Sequence, residues 1–166
     1  AGAAKPGGKI MLEPNVQMTG SRIYLAGPWF SPESMATQER IEAICTGFGW
    51  PIFSPRIELT LKKDSTPEEH KRCFFMNNHG LKYCRLILAN VEGLDTGTIW
   101  EIGAAYAYNR PVVIYSPNPD RKLNVMLAQG ARGFLAGWDA IEKFLLPQED
   151  RTFNWDAAVR WEGEVF

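Results

Sequence analysis

The chain has 166 residues, of which 45% are hydrophobic and 12% aromatic, and its formal net charge is −1. This composition supports one folded domain with a substantial core and argues against a largely disordered chain. Nucleic-acid binding is not expected, because no cluster of lysine and arginine provides a basic face. The sequence shows neither a membrane-length apolar run nor a secretory signal, so we expect a cytoplasmic protein with no membrane partner.

The amino-terminal segment differs in composition from the rest of the chain. Residues 1–9 are small, flexible and polar, and we expect residues 1–20 to be a disordered tail or an expression remnant. Residues 21–166 are expected to form a single domain. Its cysteines, Cys45, Cys73 and Cys84, form no Cys-x-x-Cys pair. We therefore expect buried or half-buried free thiols and no disulfide framework or zinc site.

Hydrophobic periodicity divides the domain into alternating strands and helices. In chain order we predict a strand at residues 22–26, a helix at 34–48, a strand at 51–54, a helix from 66 to about 83, a strand at 85–91, a helix at 97–109, a strand at 111–115, a helix at 123–132, a short strand at 133–135 and a helix at 137–144. The alternation predicts an α/β fold with a doubly wound, mostly parallel five-stranded sheet and helices on both faces, of the flavodoxin or Rossmann type.

Three segments follow predicted parallel strands and should meet at one edge of the sheet. They are residues 27–31, 90–101 and 116–124. Ligands of doubly wound sheets bind in the crevice beyond the carboxyl ends of the strands. The convergence therefore predicts where a ligand binds, but as an inference from the fold it identifies no reaction.

Acidic and hydroxyl side chains enter the helix that follows the strand at residues 85–91. Asp95 can cap that helix, while Thr98 and Glu101 are three residues apart and share one helix face. A carboxylate one turn inside a helix rich in glycine and alanine is expected to be partly buried and to need a partner. Tyr24, near the end of the first strand, can reach this carboxylate and tune its acidity. The alternative is that these carboxylates only stabilise the helix terminus.

The turn after the first strand has the composition of a binding site for a planar group. Gly27 begins it, but the Gly-x-Gly-x-x-Gly pattern of dinucleotide-binding folds is missing. Trp29 and Phe30 follow, and aromatic side chains suit stacking on a base. The sequence has no P-loop and no nucleophile elbow. Its two histidines, His70 and His79, are too few for a histidine metal cluster, so no metal site is expected.

Five blocks of residues, in the same order along the chain, resemble the nucleoside 2-deoxyribosyltransferase family. The more specific block is Asp95-Thr96-Gly97-Thr98 followed by Glu101-Ile102-Gly103-Ala104-Ala105, in which an aspartate precedes a glutamate by six residues. The other blocks lie at residues 23–30, 111–113, 124–126 and 162–166. The resemblance spans residues 21–166.

The resemblance implies a role for each matching residue. Glu101 would be the nucleophile that attacks C1′ of a 2′-deoxynucleoside, and Tyr24 would hold it. Asp95 would bind the sugar hydroxyls. Asn124 and the terminal carboxylate of Phe166 would reach the sugar of a neighbouring subunit, which implies a homo-oligomer (a dimer or larger) with shared active sites.

The implied reaction is transfer of 2-deoxyribose between nucleobases through a covalent deoxyribosyl-Glu101 intermediate, as in retaining glycosidases. The substrates would be a deoxynucleoside and a free nucleobase, and no cofactor is required. Hydrolysis of deoxynucleosides or their 5′-monophosphates on the same scaffold is an alternative, although Asp95 should repel a 5′-phosphate. A nucleoside- or nucleotide-binding module without chemistry is a second alternative.

The middle helix departs from the family pattern. Family members commonly carry an Asn-Asp pair there, in which the aspartate handles the proton on the leaving base. This chain reads Asn77-Asn78-His79. Counting back from the next strand puts Asn77 at the position of the aspartate, whereas a local shift puts His79 there. Asparagine can bind a base but cannot supply a proton, whereas histidine can.

Overall fold

The computed structural model describes residues 20–59 and 61–165. The predicted tail lies outside the described residues except for Gly20. The strands are β1 (Ile23–Ala26), β2 (Ile52–Phe53), β3 (Leu86–Asn90), β4 (Val112–Ser116) and β5 (Gly133–Ala136). The helices are α1 (Pro32–Gly47), α2 (Pro55–Glu58), α3 (Pro67–Tyr83), α4 (Thr96–Ala107), α5 (Val125–Gly130) and α6 (Gly137–Leu145). Within the described part of the chain, no helix has the length and apolar character to cross a membrane.

The five strands form one sheet in the order β2-β1-β3-β4-β5, and the four pairings between neighbours are all parallel. This order confirms the predicted doubly wound α/β fold and matches its flavodoxin-like form. The chain moves outwards in one direction from β1 to β2 and in the other from β3 to β5. The crevice of the fold therefore opens between the carboxyl ends of β1 and β3.

Both faces of the sheet are buried. Helices α3, α4 and α5 pack on one face of the sheet, against strand side chains that include Tyr24 and Ile87. Helices α1 and α6 pack on the other face, against Leu25 and Leu88 among others. Apolar residues therefore fill consecutive positions of the central strands, as parallel sheets covered on both sides require.

Helix α3 begins at the predicted capping signal, whereas α1 begins at Pro32, before its predicted start at residue 34. Thr66 caps α3 in a reciprocal capping box with Glu69, and Pro67 takes the first helical position. Ser31 and Ser34 form the equivalent box at α1. The sequence pattern did not predict α2, whose four residues are too few to show helical periodicity.

The carboxyl-terminal segment crosses the edge of the sheet beside β5. Val159 pairs with Phe134 in an antiparallel bridge, and Val165 pairs with Leu123 just before α5. Trp161 packs edge-on against the Phe134 ring, with ring centroids 4.6 Å apart. The end of the described chain consequently lies beside the loop between β4 and α5, at the carboxyl edge of the sheet.

Candidate active site

A tyrosine and a glutamate from distant parts of the sequence meet where α4 covers β1. The fully buried Tyr24 hydroxyl donates a hydrogen bond of 2.6 Å to Glu101 Oε1. Tyr24 lies on the face of the sheet that α4 covers, and Glu101 lies in the second turn of α4. The partner expected for Glu101 is therefore present, and the contact orients one carboxylate oxygen.

The surroundings of Glu101 make its carboxyl group a weak acid. Its pKa is raised from 4.5 to about 7. Burial is the largest cause, the hydrogen bond from Tyr24 lowers the pKa, and the charge of Asp95 raises it. Burial also raises the pKa of Tyr24 well above its usual value, assisted by the charge of Glu101 and the hydrogen bond to it. Tyr24 therefore stays a protonated donor while Glu101 exchanges its proton near neutral pH.

Asp95 is the amino-terminal cap of α4. Its Oδ2 accepts hydrogen bonds from the Thr98 amide at 2.8 Å and from the Thr98 hydroxyl at 3.0 Å. The hydroxyl of the buried Thr98 side chain is therefore occupied by its hydrogen bond to Asp95. The predicted cap is present, and it holds the Asp95 carboxylate less than two turns of helix from Glu101, close enough for the two charges to interact.

One stripe of α3 faces this pair. A Cβ atom built on Gly80 would lie 3.1 Å from the rings of both Tyr24 and Phe53, so α3 packs directly on the tyrosine. Asn77 Nδ2 lies 3.8 Å from Cys73 Sγ, and the pKa of that half-buried thiol is raised by burial and by the charge of Glu101. Cys73, Asn77 and Gly80 therefore follow each other at helical spacing beside the carboxylate.

Sequence reasoning treated Cys73 only as a free thiol, which it is, like the buried Cys45 and Cys84. Its spacing of four residues from Asn77 was the signal that could have placed it at the site.

His79 and Asn78 point elsewhere. The His79 ring packs on the Tyr83 ring with centroids 4.5 Å apart. Asn78 Oδ1 accepts a 2.8 Å hydrogen bond from the Tyr108 hydroxyl at the end of α4. Successive residues of a helix are turned by about 100°, so His79 projects some 200° away from Asn77. Of the two candidates for the missing aspartate, the structure brings Asn77 to the stripe that faces Glu101.

Aromatic side chains surround the site. Trp29 and Phe30 follow Gly27, with ring centroids 5.1 Å apart, and Phe30 is 74% exposed. Phe74 contacts both Phe75 and Trp100, at centroid distances of 5.7 and 5.5 Å, and all three rings are about half exposed. Sequence reasoning missed this second cluster, because its members come from two helices. Phe74 and Trp100 are the chain neighbours of Cys73 and Glu101.

Two further parts of the carboxyl edge complete the geometry. Asn124 caps α5 through a 2.9 Å hydrogen bond from the Met126 amide to Asn124 Oδ1. Phe166 lies outside the described residues, but Val165 pairs with Leu123, the residue before Asn124. Glu92 accepts a 2.6 Å hydrogen bond from the Ser116 hydroxyl and so ties the loop after β3 to the end of β4.

Among the described residues, no three His, Cys, Asp or Glu side chains are grouped to hold a metal ion.

The protein is of the doubly wound α/β class, and a buried tyrosine of its parallel sheet binds a glutamate of α4. The family model described as nucleoside 2-deoxyribosyltransferase matches residues 23–150, and the chain belongs to this family. Family membership and the structural likeness below place it among enzymes that transfer or hydrolyse glycosyl groups.

Solved structures share the fold. The 2-deoxyribosyltransferase of the psychrotolerant bacterium Bacillus psychrosaccharolyticus is 27% identical with a TM-score of 0.66, over 74% of this chain and 91% of that one. The CMP N-glycosidase of Clostridium botulinum is 15% identical with a TM-score of 0.51, over 75% and 95% of the two chains, and shows the fold alone. The search of curated protein sequences gave no significant match.

Proposed function

We propose that this protein transfers 2-deoxyribose from a 2′-deoxynucleoside to a second nucleobase, with Glu101 as the nucleophile. The observation that carries the proposal is the 2.6 Å hydrogen bond between Tyr24 on β1 and Glu101 in the second turn of α4. Helix α4 follows the carboxyl end of β3, which borders the crevice where doubly wound sheets bind ligands. Membership of the family and the likeness to the Bacillus enzyme support the same reaction.

The reaction proceeds in two displacements at C1′. Ionised Glu101 attacks C1′, a C1′–O bond forms, and the C1′–N bond breaks so that its electron pair leaves with the base. A ring nitrogen of the second base then attacks C1′ as the C1′–O bond breaks, the proton of that nitrogen passes to solvent, and release of the carboxylate restores the original configuration. A carboxylate with a pKa of about 7 is partly ionised at neutral pH, and Tyr24 holds the ionised form in place.

Asn77 is proposed to bind the leaving base. Its Oδ1 is buried without a hydrogen-bond partner among the described residues, and it lies on the stripe of α3 that faces Glu101. The amide can bind a base edge but has no acidic proton. The proton that the leaving base requires therefore comes from solvent, which favours purines, because they can be protonated on a ring nitrogen before they depart.

The remaining groups are proposed to hold the sugar and the base. Asp95 binds a sugar hydroxyl, and Trp29 and Phe30 stack on the base. Asp95 and Glu101 place two carboxylates at the sugar, and these would repel a 5′-phosphate. We therefore propose nucleosides and free bases as the substrates, in preference to nucleotides.

The direct test is base exchange. Incubation with deoxyinosine and adenine should yield deoxyadenosine, which is detected by chromatography. Glu101→Gln should abolish the exchange, whereas Glu162→Gln, which changes an exposed carboxylate, should not. Free deoxyribose without exchange would identify a hydrolase instead, and the absence of turnover with every deoxynucleoside would refute both enzyme functions.

We also propose a homo-oligomer in which Asn124 and the terminal carboxylate serve the site of a neighbouring subunit. The carboxyl-terminal segment ends beside Asn124, and the half-exposed Phe74, Phe75 and Trp100 lie next to the residues of the site. Light scattering should give a mass of at least two chains. A monomer would contradict the assembly but not the chemistry.

Mixing two inactive variants tests whether sites are shared. Glu101→Gln and Asn124→Ser, which keeps a helix-capping oxygen, should each lower activity. If subunits share sites, unfolding and refolding the two together restores activity, because some sites combine an intact Glu101 with an intact Asn124. If Asn124 serves its own chain, the mixture gains nothing.

A further inference from the structure

A glutamine from α1 occupies the space beside Gly27. A Cβ atom built on Gly27 would lie 2.4 Å from Gln38 Oε1 and 3.1 Å from Asn90 Cβ. Gln38 is 1% exposed, and its Nε2 donates a 3.4 Å hydrogen bond to the Leu25 carbonyl on β1. The turn that carries Trp29 and Phe30 therefore rests, through Gly27, on the end of the Gln38 side chain.

Asn90 lies on the other side of the same contact. It ends β3, is 1% exposed, and its Oδ1 accepts a 3.2 Å hydrogen bond from the Glu92 amide. This hydrogen bond starts the loop that leads to Asp95. Asn90 thus contacts the turn after β1 and shapes the loop after β3, which are the two sides of the crevice.

Both amides keep a polar atom that the fold does not use. Gln38 Oε1 and Asn90 Nδ2 are buried and have no hydrogen-bond partner among the described residues. A buried polar atom without a partner destabilises a fold, so a methionine or a leucine would fill the same space at lower cost. Core packing alone therefore does not account for two amides at this position.

We propose that Gln38 and Asn90 are positioning residues that set the separation between the Gly27 turn and the loop leading to Asp95. The two loops carry the aromatic side chains proposed to stack on the base and the carboxylate proposed to bind the sugar. The inference rests on the proposed function for its consequence, since the separation matters only if the two loops hold one substrate. Gln38 and Asn90 act through these loops and do not touch the reacting atoms.

The most specific test adds a methyl group at Gly27 and removes the side-chain amide at Gln38. Gly27→Ala should raise KM for the deoxynucleoside by roughly tenfold, with a smaller effect on kcat, because a displacement of an ångström misplaces the base. Gln38→Ala removes the atom that the new methyl group meets at 2.4 Å and leaves the milder contact with Asn90 Cβ at 3.1 Å. The double variant should therefore regain a KM close to that of Gln38→Ala alone. A wild-type KM in Gly27→Ala, or a double variant no better than Gly27→Ala, would overturn the proposal.

A second measurement does not depend on turnover. Asn90→Leu and Gln38→Met keep the side-chain volume and remove the amides. If the amides position the loops, amide hydrogen exchange should accelerate in both residues 27–30 and 91–95, while the strands keep wild-type protection. Unchanged exchange in both loops would refute the positioning role, even if base exchange proceeds. Failure of the proposed function is recognised separately, as absence of turnover in the wild-type protein.

Discussion

Tyr24 and Glu101, which are 77 positions apart in the sequence, share a hydrogen bond of 2.6 Å that joins β1 to α4. The tyrosine is fully buried on β1, and the glutamate is partly buried on α4. The donor stabilises the ionised carboxylate, while burial opposes ionisation. The balance between these two effects leads to the first two predictions.

Tyr24→Phe should move the acidic limb of the pH–rate profile. Loss of the donated hydrogen bond removes the effect that lowers the pKa of Glu101, so this pKa should rise above its value of about 7. Because the nucleophile must be ionised, kcat/KM at neutral pH should fall by about tenfold or more. The measurement is kcat/KM for base exchange across the pH range.

Tyr115→Phe is the matched control for that variant. Tyr115 is equally buried on β4, and its hydroxyl has no hydrogen-bond partner among the described residues. Its removal should leave the pH profile unchanged. An identical profile for wild type and Tyr24→Phe would show that the hydrogen bond does not tune Glu101.

Glu101 should make the protein less stable as the pH rises. Its pKa is about 7 in the folded chain against 4.5 as its ordinary value, so the unfolded chain loses this proton first. The folded state is favoured fully below the lower value, and this stabilisation is lost between the two, by about 3 kcal/mol at most. Glu101→Gln cannot ionise and should exceed wild type in stability at alkaline pH, with the advantage shrinking towards acid pH.

Urea unfolding of both proteins at acid and alkaline pH measures this difference. Glu162→Gln, at an exposed position, provides the control and should follow wild type. A stability difference between Glu101→Gln and wild type that does not vary with pH would contradict the raised pKa.

Gly80→Ala should damage the site, whereas Gly103→Ala should not. A methyl group at Gly80 meets the rings of Tyr24 and Phe53 at 3.1 Å, so α3 or the tyrosine must shift. We expect a loss of about 1–3 kcal/mol of stability from this overpacking, together with reduced activity. Both glycines lie in helices, but a Cβ at Gly103 meets nothing within 4 Å. Gly103→Ala should therefore stabilise the protein by about 0.5–1 kcal/mol.

Thermal unfolding and base-exchange rates of the two variants give the comparison. Equal effects of the two substitutions would mean that α3 does not pack closely on Tyr24 at Gly80.

Asp95 variants separate helix capping from substrate binding. Asparagine also caps helices, so Asp95→Asn should keep the stability of wild type, whereas Asp95→Ala should lose about 1 kcal/mol. Both remove the charge that raises the pKa of Glu101 and the carboxylate proposed to bind the sugar. If Asp95 binds substrate, both variants raise KM. If it only caps α4, Asp95→Asn retains the wild-type KM and the wild-type stability, and only the pH dependence of the rate shifts.

Much of the fold and the candidate carboxylates of α4 follow from the sequence. Proline, glycine and the capping residues mark element boundaries locally, and the continuous apolar runs of β3 and β4 require a sheet buried on both faces. Such signals act between residues close in the chain. The spacing from Asp95 to Glu101 is of the same kind, because a cap and a carboxylate six residues later have a fixed relation within one helix.

Only the tertiary structure decided which distant residues meet. It brought Asn77 to the stripe facing Glu101 and turned His79 towards Tyr83, a choice that depends on the rotation of α3 over β1. It also placed Gln38 against Gly27, although the two lie in different elements. Side-chain direction about a helix axis is set by packing against partners far away in the chain. A single sequence records the residues of both partners, but not the rotation that brings them together.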